Sequence, residues 1–143
     1  MPISETGPPA ARSGAILVVD DELAVRLILA RMLEAEGYAV RGAASAREAL
    51  ALLSAEGSGL SLVLSDIRMP GMSGVDLALE VRRSWPDLPI ALMTAYEPLE
   101  LSTEPALAGI VLLRKPFTGA AVLDLVSRLA RPVPVADEPE RVG

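Results

Sequence analysis

The sequence predicts an α/β fold, namely a doubly wound five-stranded parallel sheet with helices on both faces. Four continuous apolar runs recur along the chain, and continuous apolar character is typical of strands that are buried on both faces. Segments with helical periodicity separate the runs, so strands and helices alternate. The runs are residues 16–19, 62–65, 90–93 and 110–114.

The first run leads into a helix predicted over residues 23–36. This helix stops at Gly37, a residue type favoured just past a helix end. Five of its apolar residues are spaced to build one face of the helix. A short strand is predicted to follow at residues 38–40. The apolar face consists of Leu23, Leu27, Ala30, Met32 and Leu33.

Three further helices are marked by capping residues at their starts. Ser45 predicts a helix that runs through residue 53, because a glutamate follows it at capping-box spacing. Ser73 predicts a helix that ends near residue 84, ahead of a proline. Thr118 predicts a last helix that ends near residue 130.

The segment 97–108 has apolar residues that suit a helix, but Pro98 and Pro105 interrupt it. Proline in a helix interior costs roughly 3 kcal/mol. We therefore expect a short or distorted helix here, broken near Glu104. With this segment included, a strand–helix unit occurs five times.

Length and composition limit the class of protein. A chain of 143 residues is expected to form one domain, here residues 14–131, between a flexible tail at 1–13 and a flexible tail or linker at 132–143. No apolar stretch is long enough for a membrane span, and the amino terminus does not look like a secretory signal. The chain has no cysteine, and its net charge of −6 argues against nucleic-acid binding. These features agree with a cytoplasmic location.

The chain contains no histidine. Hydrolysis by a serine–histidine or cysteine–histidine pair, imidazole metal ligation and phosphohistidine chemistry are therefore excluded within this chain. No glycine-rich phosphate-binding motif of the GxGxxG or GxxxxGK[ST] type is found either. Carboxylates, hydroxyls, lysine, arginine and backbone groups remain for catalysis.

Polar residues stand at the ends of the apolar runs, where parallel strands open into one crevice. They are Asp20, Asp21, Asp66, Thr94 and Lys115. Three carboxylates at one edge would repel each other and raise a pKa, and a hard divalent cation such as Mg²⁺ relieves that repulsion. Each residue also has a plainer interpretation. Asp20 or Asp21 caps the following helix, Lys115 is a surface charge, and Thr94 is an ordinary strand residue.

Together these groups offer a carboxylate nucleophile, a site for a metal, and an ammonium and a hydroxyl for peripheral oxygens. Such parts serve phosphoryl transfer, in which positioning and charge neutralisation do most of the work. A carboxylate nucleophile would form an acyl phosphate. The loop 69–74 contains one proline and two glycines, which permit tight turns and close backbone approach beside Asp66.

Four motifs in this order resemble the response-regulator receiver domain of two-component signalling. They are VVDDE (18–22), DIRMPGMSG (66–74), TA (94–95) and KPF (115–117), and the resemblance covers about residues 14–131. It implies the flavodoxin-like (βα)5 receiver fold. It also implies that Asp66 is the phospho-acceptor, and that the phosphoryl donor is a histidine on a partner kinase or a histidine phosphotransfer protein.

The resemblance further implies a role for each site residue. Asp21 and Asp66 would bind Mg²⁺ directly, together with the backbone carbonyl of Arg68, while Asp20 would act through water. Mn²⁺ is an alternative ion. Lys115 would contact the phosphoryl group, Thr94 would move towards it, and Ala95 would supply an amide and leave room for the phosphate. The Lys115–Pro116 peptide would be cis.

The sequence departs from the receiver pattern in two places. Leu112 stands where many receivers have an aromatic residue coupled to the threonine, so we do not expect that coupling here. The proline-interrupted segment lies in a region that receivers often use for output, and an altered dimer or partner surface follows as a hypothesis. The resemblance implies that Tyr96 and Arg68 occupy positions that, in this family, affect the lifetime of the phosphoryl group. Tyr96 either shields the acyl phosphate or is a half-exposed loop residue.

Two other classes stay open beside a phospho-switch that alters a protein contact. One is a haloacid-dehalogenase-type phosphatase, although Arg68 stands where that family has a second acid. The other is a pseudo-receiver that binds partners without phosphorylation. The kinase, the downstream target and the oligomeric state, a homodimer included, are also open. We expect no transcriptional control by this chain alone, because nothing after residue 131 resembles a DNA-binding module.

Overall fold

The computed structural model describes residues 14–95 and 104–133. They form one parallel sheet with the strand order β2-β1-β3-β4-β5 and four α-helices, which confirms the predicted fold class. The strands are β1 (Ala15–Val19), β2 (Ala39–Ala43), β3 (Leu60–Asp66), β4 (Ile90–Thr94) and β5 (Val111–Arg114). The helices are α1 (Leu23–Ala35), α2 (Ala46–Glu56), α3 (Gly74–Ser84) and α4 (Gly119–Leu129), with 3₁₀ turns at Gly57–Gly59 and Pro105–Leu107.

The strand order reverses at β1, because β2 lies on one side of it and β3 on the other. In open α/β sheets, binding sites form at the carboxyl ends of the strands beside such a switch point. The crevice between β1 and β3 is therefore the expected position of a site.

The core has one layer on each face of the sheet. Leu17 and Val19 face a layer covered by α2 and α3. Their neighbours Ile16 and Val18 face the layer covered by α1 and α4. The central strands β3 and β4 are buried along their whole length, as the continuous apolar runs predicted. The prediction was wrong for the run 110–114, since β5 is an edge strand and is only partly covered.

The predicted apolar face of α1 was also wrong in part. Leu23 and Leu27 are 58% and 49% exposed, and the adjacent Ile28 is 52% exposed. The residues that α1 buries are Leu29 and Leu33, one turn apart. Because α1 has apolar residues around most of its circumference, periodicity did not reveal which stripe faces the sheet.

The three predicted caps are confirmed. The side-chain oxygens of Ser45, Ser73 and Thr118 accept hydrogen bonds from backbone amides three residues later, at 3.1, 3.1 and 3.0 Å. Each bond satisfies one of the amides that a helix start leaves without a partner.

The proline-interrupted segment is described only from Glu104 onward. There the short 3₁₀ turn Pro105–Leu107 replaces an α-helix, in line with the predicted break. Arg82 of α3 donates from Nη1 to the carbonyl of Ala106 at 3.0 Å. Tyr96 and Pro98 lie outside the described residues, as do residues 1–13 and 134–143, so the limits of the domain stay a prediction. Within the described ranges, no helix is both long and apolar enough to cross a lipid bilayer.

Candidate active site

The polar residues that end the apolar runs meet at one edge of the sheet. Asp66 and Thr94 are the last residues of β3 and β4, while Asp20 and Lys115 directly follow β1 and β5. The amide of Lys115 donates to the carbonyl of Thr94 at 2.8 Å, which holds the end of β5 against β4. The predicted convergence is thus confirmed for residues that lie far apart in the sequence.

Three carboxylates form a compact cluster at this edge. Asp20, Asp21 and Asp66 each offer a ligand atom, and these atoms all lie within 4.8 Å of one another. Octahedral Mg²⁺ holds oxygen ligands at about 2.1 Å, so opposite ligands are about 4.2 Å apart. Asp20 and Asp66 are buried, whereas Asp21 is exposed. Both the donor chemistry and the size of the cluster fit a hard divalent cation.

Lys115 faces the cluster. Its Nζ lies 3.1 Å from Oδ1 of Asp66 and 3.4 Å from Oδ2 of Asp20. Burial alone would lower the pKa of this ammonium, but hydrogen bonds and charges from the two aspartates outweigh it and raise the pKa. Lys115, the single lysine of the chain, is therefore a charged member of the site and not an ordinary surface residue.

Burial is the main cause of a raised pKa at the Asp66 carboxyl. The hydrogen bond and charge of Lys115 oppose this effect, and the charge of Asp20 adds a smaller increase. The expected direction is confirmed, but desolvation contributes more than repulsion between acids. Lys115 is therefore the group that favours the ionised form of Asp66 against the effect of burial.

Neither Asp20 nor Asp21 caps α1. The N-cap residue is Glu22, which makes no side-chain cap hydrogen bond. Oδ1 of Asp20 accepts from the amide of Glu22 itself at 2.9 Å, outside the helix. A cap would accept from an amide two or three residues inside it. The capping interpretation was therefore wrong.

The loop after Asp66 brings backbone unusually close to that residue. A Cβ placed on Gly74 would lie 2.8 Å from Cα of Ile67 and 2.9 Å from the carbonyl carbon of Asp66, and closer still to the oxygen of that carbonyl. The amide of Gly74 donates to the carbonyl of Ile67 at 2.8 Å. Gly71 has φ +80°, a left-handed conformation that side chains disfavour. The loop glycines thus permit the tight turn and close approach that the sequence predicted.

The remaining predicted residues border the site. Thr94 is buried, Ala95 is exposed directly after it, and Arg68 is exposed two residues after Asp66. The Lys115–Pro116 peptide is cis, as the resemblance implied. Leu112 pairs with Leu92 in the sheet and packs against the layer under α2 and α3, so an apolar side chain stands at this position.

One residue of the site was missed in the sequence. Arg26, in α1, donates from Nη1 to the backbone carbonyl of Asp20 at 2.7 Å. No sequence signal marks it, because an arginine near the start of an amphipathic helix ordinarily points into solvent.

Comparisons with known proteins agree with this geometry. The family model of the response regulator receiver domain matches residues 16–127. Response regulator protein FleR of Pseudomonas aeruginosa is 40% identical over 116 residues, covering 80% of this chain and 24% of FleR. Sensor kinase CckA of Brucella abortus is 38% identical over 107 residues, covering 74% of this chain and 11% of CckA. The chain thus spans about a quarter or less of these two curated relatives.

A solved structure gives the same result for the fold. The response regulator protein TrrA from Thermotoga maritima, in complex with Mg²⁺–BeF, matches with a TM-score of 0.71 at 33% identity. The match covers 81% of this chain and 98% of the TrrA chain.

Proposed function

Because this chain belongs to the response-regulator receiver family of two-component signalling, we propose that Asp66 accepts a phosphoryl group from a partner's phosphohistidine. The partner is a histidine kinase or a histidine phosphotransfer protein, and phosphorylation switches a protein–protein contact. One observation carries the proposal. Asp66 lies in a cluster of three carboxylates within 4.8 Å, and a lysine ammonium lies 3.1 Å from its Oδ1.

In the proposed reaction, a carboxylate oxygen of Asp66 attacks the phosphorus atom of the phosphohistidine. The O–P bond of an acyl phosphate forms as the P–N bond breaks, and the imidazole nitrogen keeps the electron pair and takes a proton from solvent. Later attack by water on phosphorus returns the free carboxylate and inorganic phosphate. The chain therefore catalyses its own phosphorylation and dephosphorylation, and we expect no turnover of a separate substrate.

Lys115 and the end of β4 would stabilise the charge that builds up on the peripheral phosphoryl oxygens. The ammonium is already oriented by Asp66 and Asp20, so little reorganisation is needed when charge develops. Thr94 ends β4 and Ala95 follows it at the same edge, where the hydroxyl of Thr94 and the amide of Ala95 would supply hydrogen bonds. The small side chain of Ala95 would leave room for the group.

Receivers bind Mg²⁺ at an acidic site, and the donor set of this chain fits that ion. We propose Asp21, Asp66 and the backbone carbonyl of Arg68 as direct ligands, with Asp20 acting through water. Bound Mg²⁺ would neutralise the negative charge shared by the carboxylates and the phosphoryl group. Whether Mn²⁺ can replace it stays a prediction.

The surface beside the acidic cluster favours a protein as the donor. In the described part of the chain, the large exposed apolar side chains are Leu23, Leu27 and Ile28. All three lie on α1, which begins two residues after Asp21. An apolar patch next to a reactive centre is typical of a docking surface for another protein. A cytoplasmic location is part of the same proposal, and the lack of cysteine agrees with it.

The output route is proposed to differ from that of receivers with an aromatic switch residue. Leu112 has no polar group that could form a hydrogen bond with Thr94, and it is held in apolar packing. The downstream partner would therefore read another change near Thr94. Whether the chain forms a homodimer stays open.

The function is tested by incubating the protein with Mg²⁺ and either acetyl phosphate or phosphoramidate, followed by intact-mass spectrometry. We expect one phosphoryl adduct, which Asp66→Asn and chelation by EDTA both abolish. Asp87→Asn is the matched control, because Asp87 is an exposed acid outside the cluster, and it should retain the adduct. Steady turnover of assorted phosphomonoesters would instead indicate the phosphatase. No reaction with either donor would indicate the pseudo-receiver.

A further inference from the structure

Arg26 forms a link from α1 back to the turn that carries the acidic pair. Its Nη1 donates to the backbone carbonyl oxygen of Asp20 at 2.7 Å, which is short for a nitrogen–oxygen hydrogen bond and typical of a charged donor. The side chain passes beside β2, where a Cβ on Gly42 would be 3.6 Å from Cδ of Arg26. Arg26 is only partly exposed, so its guanidinium is held at this position.

The charge of Arg26 destabilises the start of α1 when the helix is considered by itself. Arg26 is the fourth residue of α1, and a positive charge near a helix N-terminus opposes the helix dipole. The first turn of α1 contains no acidic residue that would offset the charge. At this end of the helix the guanidinium is accommodated by its hydrogen bond to the carbonyl of Asp20 and by the acidic residues 20–22 that precede the helix.

Every polar group of Asp20 is used to fix its position. The amide donates to the carbonyl of Ala43 at 3.1 Å, and Oδ1 accepts from Glu22 at 2.9 Å. Oδ2 faces Lys115 at 3.4 Å, and the carbonyl accepts from Arg26. The carbonyl oxygen belongs to the planar peptide that joins Asp20 to Asp21. A hydrogen bond that holds this oxygen therefore also fixes the positions of the amide and Cα of Asp21.

Asp21 needs such support from its backbone. It is exposed, and within residues 14–95 and 104–133 no hydrogen bond or ion pair orients its carboxylate. We propose that Arg26 is a positioning residue for the metal site. By fixing the Asp20–Asp21 peptide, it aims the Asp21 carboxylate at the cation. This inference rests on the proposed Mg²⁺ site and adds a residue to it.

The test is isothermal titration calorimetry of the unphosphorylated full chain with Mg²⁺. Arg26→Met keeps the apolar stem and removes the guanidinium, and we expect its Kd to rise about tenfold, as for other partners that orient metal ligands. Arg26→Lys keeps a charged donor and should restore part of the affinity. Arg31→Met is the matched control, because it removes the same charge from an exposed position of the same helix, and its Kd should stay within twofold of wild type.

A second measurement separates positioning from general damage to the fold. Phosphorylation by acetyl phosphate in Arg26→Met should be slow at low Mg²⁺ and return to the wild-type rate at saturating Mg²⁺. A Kd of Arg26→Met within twofold of wild type, or an equal rise in Arg31→Met, would overturn the inference. If the Kd pattern holds but Asp66 forms no adduct, the proposed function fails and the role of Arg26 stands. A wild-type chain that binds no Mg²⁺ would overturn both.

Discussion

Replacing Gly74 with alanine tests how closely the start of α3 lies against the backbone of Asp66 and Ile67. The new Cβ would sit 2.8 Å from Cα of Ile67 and 2.9 Å from the carbonyl carbon of Asp66, whereas real Cβ contacts are essentially never under 3.0 Å. The opposing atoms are backbone at the end of a buried strand, so no flexible side chain can move aside. The backbone of Asp66 and Ile67 must shift instead.

The expected cost combines two opposing effects. Overpacking a well-packed site typically costs about 1–3 kcal/mol, and the forced backbone shift places this case at the upper end. Alanine offsets about 0.5–1 kcal/mol, because it restricts the unfolded chain more than glycine does. We therefore expect a net loss of about 2 kcal/mol in the free energy of unfolding. For a domain of this size that lowers Tm by about 8 °C.

The assay is thermal and urea unfolding of Gly74→Ala, with Gly59→Ala as the matched control. A Cβ on Gly59 meets no atom within 4 Å, so this variant should keep or slightly raise the wild-type Tm. The shift at Asp66 should also slow phosphorylation by acetyl phosphate at least tenfold, since a misplacement of about 1 Å can cost roughly a hundredfold in rate. If Gly74→Ala matched Gly59→Ala in both Tm and rate, the close approach of α3 to Asp66 would be refuted.

Three further predictions concern the charges and the surface of the site. Without Mg²⁺, Asp66→Asn should unfold at a higher temperature than wild type at neutral pH, because burial raises the pKa of Asp66 above the usual value of 3.8. The wild-type protein loses stability as the pH rises and the buried carboxyl of Asp66 becomes charged, whereas the asparagine variant does not. The Tm difference between variant and wild type should therefore grow as the pH rises through the raised pKa and vanish in acid. A difference that does not change with pH would contradict this cause. Lys115→Met should slow phosphorylation by acetyl phosphate about a hundredfold, whereas the control Arg128→Met, on the exposed face of α4, should not. If the two variants were phosphorylated at the same rate, a role for the ammonium would be excluded. Leu27→Ser should slow transfer from a histidine kinase at least fivefold and leave phosphorylation by acetyl phosphate unchanged, with the exposed Ala51→Ser as control; slowing with both donors would argue against docking on α1.

Several strands and helix starts could be predicted from the sequence, because the patterns that indicate them involve residues close together in the chain. Continuous apolar runs predicted β1, β3 and β4, and three side chains with capping spacing predicted the starts of α2, α3 and α4. The face of α1 was misjudged, since Leu23 and Leu27 suit a buried stripe as well as Leu29 and Leu33 do. Only the packing of α1 on the sheet distinguishes the two stripes, and that depends on residues distant in sequence.

The sequence by itself determined which chemical groups are available and where they lie along the strands. Carboxylates, a hydroxyl and one ammonium at the ends of parallel strands had to meet at one edge, because such strands all point the same way. The absence of histidine likewise excluded a phosphohistidine within these 143 residues. These conclusions needed only residue types, spacing and strand direction.

Tertiary structure decided the burial, the pKa and the hydrogen-bond partners of each group. It buried Asp20 and Asp66 and left Asp21 exposed, and it brought Lys115 to an aspartate 95 positions away. It also tied Arg26 to the carbonyl of Asp20. Burial, pKa and hydrogen-bond geometry depend on what several elements place around a group in three dimensions, and local sequence patterns do not encode that arrangement.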